Sequence, residues 1–271
     1  RLFSLHMITL TTDFGTRDAY VAAMKGTMLT VHPEARFLDI THDITPQDVI
    51  EAAFVLRGAV PYCPDGTVHL VVVDPGVGTD RRPVAVQHAG RWFVGPDNGV
   101  FPLVLNGEEP DASVALDHPD VWRTKTPSTT FHGRDIFAPV AAHLAAGRSL
   151  QDVGTPIDGL KPLRWVQPQT SAGTVQGWVV HVDRFGNCIT NIQRPDLETA
   201  FGNGDDADFK CYVGSVVLDT IHTTYGTVAD GDPVLLFGST GFLEIAVNAG
   251  HAGELLNIRK GDTVKIVSAD I

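Results

Sequence analysis

Apolar and polar positions change period part-way along the chain, and the change divides it in two. Residues 7–12 form a short strand-like run. Residues 19–31 follow with apolar side chains at helical spacing, a stripe of Tyr20, Ala23, Met24, Met28 and Val31 with Thr27 as its one polar member. Residues 36–40 again read as a strand, and Pro46 stands at a helix-starting position ahead of a helical stretch at 48–60. Residues 68–73 are Val-rich and apolar apart from His69, the pattern of a strand buried on both faces. Residues 84–87 and 91–94, separated by His88-Ala89-Gly90, read as a hairpin. A last helical pattern runs over 131–146 and stops at Gly147.

Beyond Gly147 the pattern loses its helical period. Gly154, Pro156, Gly159, Pro162 and Pro168 mark a linker, and from Gly173 onward come short β-rich runs at 175–182, 209–213, 216–218, 234–237, 242–247 and 263–267. The expected fold is therefore an N-terminal α/β domain with a central, mostly parallel sheet over residues 7–165. A smaller all-β, barrel-like domain follows over 170–271. At 271 residues and 43% apolar the chain is long enough to bury a core in each.

Composition narrows the function classes. A net charge of -12, with only 20 Lys and Arg scattered along the chain, excludes a general nucleic-acid binder, which needs clustered cations to displace counterions. Cys63, Cys188 and Cys211 are too few and too far apart for a disulfide framework, and a reducing cytoplasm is the expected location. No apolar run reaches the length of a membrane span, so no membrane association is expected.

Candidate chemistry gathers where an α/β sheet offers it, beyond the carboxyl ends of the strands. Asp13, in Thr12-Asp13-Phe14-Gly15, follows the first strand and has the two acceptors a sugar diol needs; it is equally suited to capping a turn. The stretch Asp74-Pro75-Gly76-Val77-Gly78-Thr79-Asp80-Arg81-Arg82 follows the buried strand. It has Arg81 where a dinucleotide fingerprint needs a third Gly, and it lacks the Lys-Ser/Thr of a P-loop, leaving a carboxylate and a guanidinium in a Gly-rich loop. Such a pair can be catalytic or purely structural. In Phe131-His132-Gly133-Arg134-Asp135, a His at a helix N-terminus has its imidazolium disfavoured by the helix dipole. His42 and Asp43, near Asp39 and Asp13, lack metal-ligand spacing, and no metal is expected. Neither a Gly-x-Ser-x-Gly elbow nor a Cys–His pairing is recognisable.

Taken in order, these segments resemble one family. Together with Gly95-Pro96-Asp97-Asn98-Gly99, Asp183-Arg184-Phe185-Gly186-Asn187 and Leu243-Glu244-Ile245-Ala246, they are similar to the S-adenosyl-L-methionine (SAM) hydroxide adenosyltransferases, or SAM hydrolases, relatives of the SAM-dependent fluorinase and chlorinase. The resemblance runs from about Ile8 to Val267. It implies attack of water or hydroxide on C5′ of SAM to give adenosine and L-methionine, with SAM as substrate and no cofactor. It further implies a homotrimer with sites between the N-terminal domain of one subunit and the C-terminal domain of the next.

By that resemblance the catalytic triad falls on Asp74, Arg81 and His132, with Arg82 as the competitor for the arginine role and the proton acceptor open between His132 and Asp74. It places Asp13 on the ribose diol, Gly133 beside the substrate, Asp183, Asn187 and Ser239 around the methionine amino and carboxylate groups, and the Ala249 backbone near adenine. The halogenating relatives carry Tyr where Asp74 and His132 stand, and the fluorinase has Ser at Gly133. Gln47 and Val247 replace a Trp of the halogenating enzymes and an Arg of the fluorinase. Asp74 and His132 thus favour water over halide. A halide-dependent transfer and a non-catalytic SAM or adenosine sensor are the alternatives.

Overall fold

A computed structural model describes residues 7–163, 167–202 and 208–269. It separates into two compact units that meet in sequence at Leu163/Arg164. The expected domain limits at residues 165 and 271 lie outside the described residues.

In the first unit, β1 (Met7–Thr12) lies between β2 (Arg36–Thr41) and β3 (Val68–Val72), parallel to both. Strand β5 (Arg91–Pro96) adds parallel to β3. Then β4 (Pro83–His88), β6 (Ala112–Ala115) and β7 (Thr155–Pro156) follow antiparallel, giving the order β2-β1-β3-β5-β4-β6-β7. The sheet is mixed, not mostly parallel as expected. The cause is the hairpin read at Ala89-Gly90, where φ of +48° and +73° turn the chain within two residues. So short a link reverses direction, whereas a parallel neighbour needs a long crossover.

Helices cover both faces. On one, Met24 and Met28 of α1 (Tyr20–Val31) and Val140 and Ala141 of a later helix pack against Ile8, Leu10, Leu70 and Val72. On the other, Ala52, Ala53 and Leu56 of α2 (Val49–Ala59) and Val100 of α3 (Val100–Val104) meet Val71, Val84, Val86 and Phe93. Asp48 caps α2 by accepting from the Glu51 N–H at 3.0 Å, which places Pro46 ahead of the helix, not in its first turn. Tyr20, expected in the buried stripe of α1, is 48% exposed, because it sits in the first turn and meets the ring edges of Phe14 and Phe131. Thr27 is buried and turns its hydroxyl back to the Ala23 carbonyl at 2.9 Å. The last helix starts later than residue 131: Gly133–Phe137 form a π-helical turn that runs into α4 (Ala138–Ala145).

His69 of β3 is fully buried, with Nδ1 2.8 Å from Thr9 Oγ1 and its ring stacked 5.0 Å from that of Phe93. Burial, reinforced by the Arg91 charge, pushes its pKa down to about 3. A histidine depressed in the fold costs nothing above the unfolded value, and stability falls as pH drops from about 6.5 towards 3 because the unfolded chain binds the extra proton. The expected slope approaches ~1.4 kcal/mol per pH unit. His69→Gln should flatten this acid limb in urea titrations between pH 6 and 4; an unchanged slope would assign it to other groups.

The second unit is built on a nine-stranded sheet in the order β12-β11-β16-β9-β10-β15-β14-β13, with β8 also on β9. Its elements are β8 (Gln169–Ser171), β9 (Thr174–Val182), β10 (Cys188–Gln193), α5 (Arg194–Phe201), β11 (Phe209–Val213) and β12 (Val216–Leu218). After them come β13 (Ile221–His222), β14 (Pro233–Phe237), β15 (Phe242–Val247), α6 (Ala252–Leu255) and β16 (Thr263–Ser268). The sheet curls at β9, whose first half pairs with β16 and whose second half pairs with β10. Among the described residues no pairing joins β12 to β13, so this is a curled sheet and not a demonstrated barrel. Strand β10 escapes the hydrophobic pattern because Thr190 and Asn191 are polar yet buried; Asn191 Oδ1 accepts from the Trp178 N–H at 2.8 Å. Among the described residues no helix is long and apolar enough to cross a membrane.

Candidate active site

Strand β3 delivers the chain into the loop at Asp74. Two tight turns follow, Asp74 O to Val77 N at 3.2 Å and Gly76 O to Thr79 N at 3.1 Å, and they fold Arg81 back over the loop. Arg81 Nε donates to both oxygens of Asp74, at 2.9 and 3.0 Å, and Nη2 donates to Oδ2 as well. A Cβ on Gly76 would stand 3.0 Å from Arg81 Cγ, so the missing side chain makes room for the returning arginine. Gly78, at φ +76°, would bring a Cβ to 2.5 Å of the Thr129 carbonyl; glycine here lets the 128–132 segment close down on the loop.

That closure brings in His132. Arg81 Nη2 lies 3.0 Å from His132 Nδ1, and the guanidinium stacks 5.0 Å from the Phe137 ring centroid. The Asp74 and Arg81 side chains are 6% and 7% exposed. A guanidinium can only donate, so Nδ1 must accept, and His132 is neutral with its proton on Nε2. Burial first, then the Arg81 charge, lowers the His132 pKa against the opposing pull of Asp74 and Asp135. The imidazole therefore offers any ligand an Nε2–H donor.

The competing arginine is committed elsewhere. Arg82 donates to Asp97 Oδ2 from Nε at 3.0 Å and from Nη2 at 2.6 Å, and to the Gly159 carbonyl at 3.1 Å. Asn98 Nδ2 donates to the Val73 carbonyl at 2.9 Å, bracing the residue before Asp74. Asp97 and Asn98 belong to the Gly95–Gly99 segment, which sequence reading left without a role.

A second brace was missed. Asp135, fully buried, accepts from Arg123 Nε at 2.6 Å, from Arg134 Nε and Nη2 at 2.7 and 2.8 Å, and from the Ser128 N–H at 2.9 Å. Burial alone would raise its carboxyl, but these donors win and hold it well below the usual carboxylate range. Asp135→Asn should cost about 2–3 kcal/mol in chemical denaturation, the loss of hydrogen bonds between charged groups. A change below 0.5 kcal/mol would show that the hub is not structural.

Asp13, Asp74, His132, Gly133, Phe14 and Gln47 share one cavity of about 220 Å³ within the first unit. Asp13 Oδ2 accepts from the Gln47 N–H at 2.7 Å, and Gln47 adopts a left-handed φ of +68°. Gly133 faces Met24 Sδ, Val72 Cγ1 and Phe131 Cε2, each 3.0–3.3 Å from where a Cβ would stand. The cavity is smaller than the roughly 300 Å³ or more of sites that enclose a whole drug-sized ligand. It has room for part of one.

The remaining expected residues lie in the second unit. Asp183 Oδ1 accepts from the N–H groups of Phe185 and Asn187, each at 2.9 Å, and Oδ2 accepts from Asn187 Nδ2 at 3.1 Å, a tight turn between β9 and β10. Gly186 in that turn packs against the His251 ring, beside Ala249 at φ +55°. Ser239 is exposed in the turn between β14 and β15. Next to that turn, buried Glu244 accepts from Tyr225 Oη at 2.8 Å, and burial raises its carboxyl. Among the described residues no three His, Cys, Asp or Glu side chains converge as metal ligands.

A carboxylate, a guanidinium and a neutral imidazole are joined at the carboxyl end of a buried strand on an α/β unit, and the carboxylate and imidazole open on a small cavity with a second carboxylate. Residues 8–154 match the family model of the SAM hydroxide adenosyltransferase N-terminal domain, and residues 177–265 match that of its C-terminal domain; the chain belongs to this family. It is 40% identical over 265 residues to a Thermus thermophilus protein named (R)-S-adenosyl-L-methionine hydrolase, covering 94% of this chain and 97% of the relative. A Methanocaldococcus jannaschii protein of the same name is 33% identical over 97% of this chain and 96% of its own. A fluorinase from an Actinoplanes species is 30% identical over 97% and 98%. An uncharacterised conserved protein from Thermotoga maritima superposes with a TM-score of 0.87 at 37% identity, covering 96% of this chain and 99% of that one.

Proposed function

We infer that the chain hydrolyses SAM to adenosine and L-methionine by attack of water at C5′. The observation that carries the mechanism is the single guanidinium shared between Asp74 and His132 Nδ1. It fixes His132 as a donor, so Nε2–H holds a lone pair of the attacking water. Asp74 lines the cavity, and its oxygens keep lone pairs beyond those taken by Arg81; it accepts the water's proton. As the O–C5′ bond forms, the C5′–S bond breaks and sulfur keeps the electron pair, leaving as the neutral thioether of methionine. The water's proton passes to Asp74 and then to solvent, one per turnover. Arg81, bonded to Asp74 and beside His132 Nδ1, adds a positive charge that favours developing hydroxide character.

Asp13 keeps an oxygen for the ribose diol beyond the one bonded to Gln47. Asp183, Asn187, Ser239 and Ala249 take the rest of the substrate, contributed from a neighbouring subunit of a homotrimer, and the small size of the first-unit cavity supports such a supplement. Three buried free cysteines support a cytoplasmic location. Two carboxylates in the cavity disfavour an incoming halide.

The test is incubation with SAM in oxygen-18 water, with and without chloride. Adenosine labelled at its 5′ oxygen, one methionine and one proton per turnover, independent of chloride, is the expected result. A 5′-chlorinated nucleoside would move the assignment to halide transfer, and bound but unchanged SAM would leave a sensor.

A further inference from the structure

His42 lies outside the cavity, yet it is tied to the residues on either side of Asp13. Its side chain is 6% exposed. Nδ1 stands 2.9 Å from Thr12 Oγ1. Nε2 stands 3.1 Å from Asp39 Oδ1, electrostatically paired though not aligned as a hydrogen bond, and Asp39 Oδ2 takes Lys25 Nζ at 2.6 Å. Thr12 Oγ1 in turn accepts from the Phe14 N–H at 3.4 Å. The backbone completes the clamp: the His42 carbonyl accepts from the Gly15 N–H at 2.7 Å, and the Ile44 N–H donates to the Thr12 carbonyl at 3.4 Å.

We propose that His42 is a positioning residue for Asp13, acting through the Thr12 hydroxyl to set the peptide that aims the Asp13 carboxylate into the cavity. The backbone bonds of this clamp would form with any residue at 42. The contact to Thr12 needs a hydrogen-bonding atom at the place of Nδ1, and that distinguishes His42 from a residue that merely fills space. The Asp39 carboxylate, itself paired with Lys25, stands beside Nε2 and favours the proton there, which leaves Nδ1 to accept from Thr12. The buried hydroxyl of Thr12 thereby gains a partner, whereas that of Thr11, next to it in the strand, has no hydrogen-bond partner among the described residues. Asp13 is constrained from its far side by the left-handed Gln47, so its carboxylate is held directly at one end and its peptide through Thr12 at the other, and its direction depends on both.

The proposal rests on the reading of Asp13 as the ribose-diol acceptor, and the experiment separates the two. Titration calorimetry of the full chain with adenosine and with 2′,3′-dideoxyadenosine gives a ratio of dissociation constants. For the wild-type chain a ratio of at least about tenfold is expected from hydrogen bonds to a charged acceptor. His42→Phe should reduce that ratio to threefold or less by weakening adenosine alone. His42→Asn, which restores an acceptor near Nδ1, should recover most of it; a role in packing alone predicts no such rescue. Thr12→Val, nearly isosteric, should reproduce the His42→Phe result even if the latter folds poorly. A wild-type ratio near one would overturn the reading of Asp13. A wild-type ratio above tenfold that persists in both Thr12→Val and His42→Phe would overturn the proposal while leaving Asp13 in place.

Discussion

Asp74→Asn is expected to lower kcat for SAM hydrolysis by about 10²- to 10⁴-fold, the range lost when a general base is removed. An amide keeps the size of the carboxylate but cannot take the water's proton. It also presents an N–H₂ to a guanidinium that only donates, so Arg81 loses one of its two anchoring oxygens. Arg81 is 7% exposed, and a buried charge stripped of its partner costs about 3–5 kcal/mol. The variant should therefore melt earlier than the wild-type chain while still binding adenosine, whose ribose contacts are assigned to Asp13. Single-turnover rates beside adenosine titrations separate the two effects. A rate within threefold of wild type would remove Asp74 from the chemistry.

Arg81→Gln carries the second large effect, a loss of at least ~10²-fold in kcat/KM with a change in pH profile. The guanidinium does three things at once: it anchors Asp74, it blocks His132 Nδ1, and its charge helps keep His132 neutral. Glutamine removes the charge and frees Nδ1. With Asp74 and Asp135 still drawing protons towards the ring, the His132 pKa should rise. A protonated His132 has both ring nitrogens as donors and would pair with Asp74, the base proposed above. The residual activity should accordingly fall off at higher pH on its acid side than in the wild-type chain, followed by pH–rate profiles and by NMR titration of the ring. An acid limb that stays in place would mean that Arg81 does not govern the charge of His132.

The sequence was most readable where chemistry and backbone constraint coincide. Asp74 and Arg81 stand in a loop whose glycines are required by the fold of that loop, one for the returning arginine and one for the Thr129 carbonyl. The choice between Arg81 and Arg82 could not be made from residue types, because adjacent guanidiniums are chemically equal; it depends on Asp97 and Gly159, which only the tertiary fold brings to Arg82. Asp135 was quoted as part of a motif, but its four donors come from Arg123, Ser128 and Arg134, and periodicity carries no trace of such a hub. The expectation of a mostly parallel sheet overlooked what its own hairpin implied about strand direction. Tyr20 followed the helical stripe but lies in a first turn, where aromatic neighbours at the cavity rim hold it instead of the core.

The π-helical turn at Gly133–Phe137 has a consequence for how this segment tolerates a change in length. Such a turn holds one residue more than an α-helix needs, so excising a single residue would let the segment relax into regular helix. Each residue of an α-helix turns through about 100°. The same deletion that regularised the helix would therefore swing His132 away from Arg81. Loss of one residue in this segment is therefore expected to trade a more regular helix against the contact between His132 and Arg81.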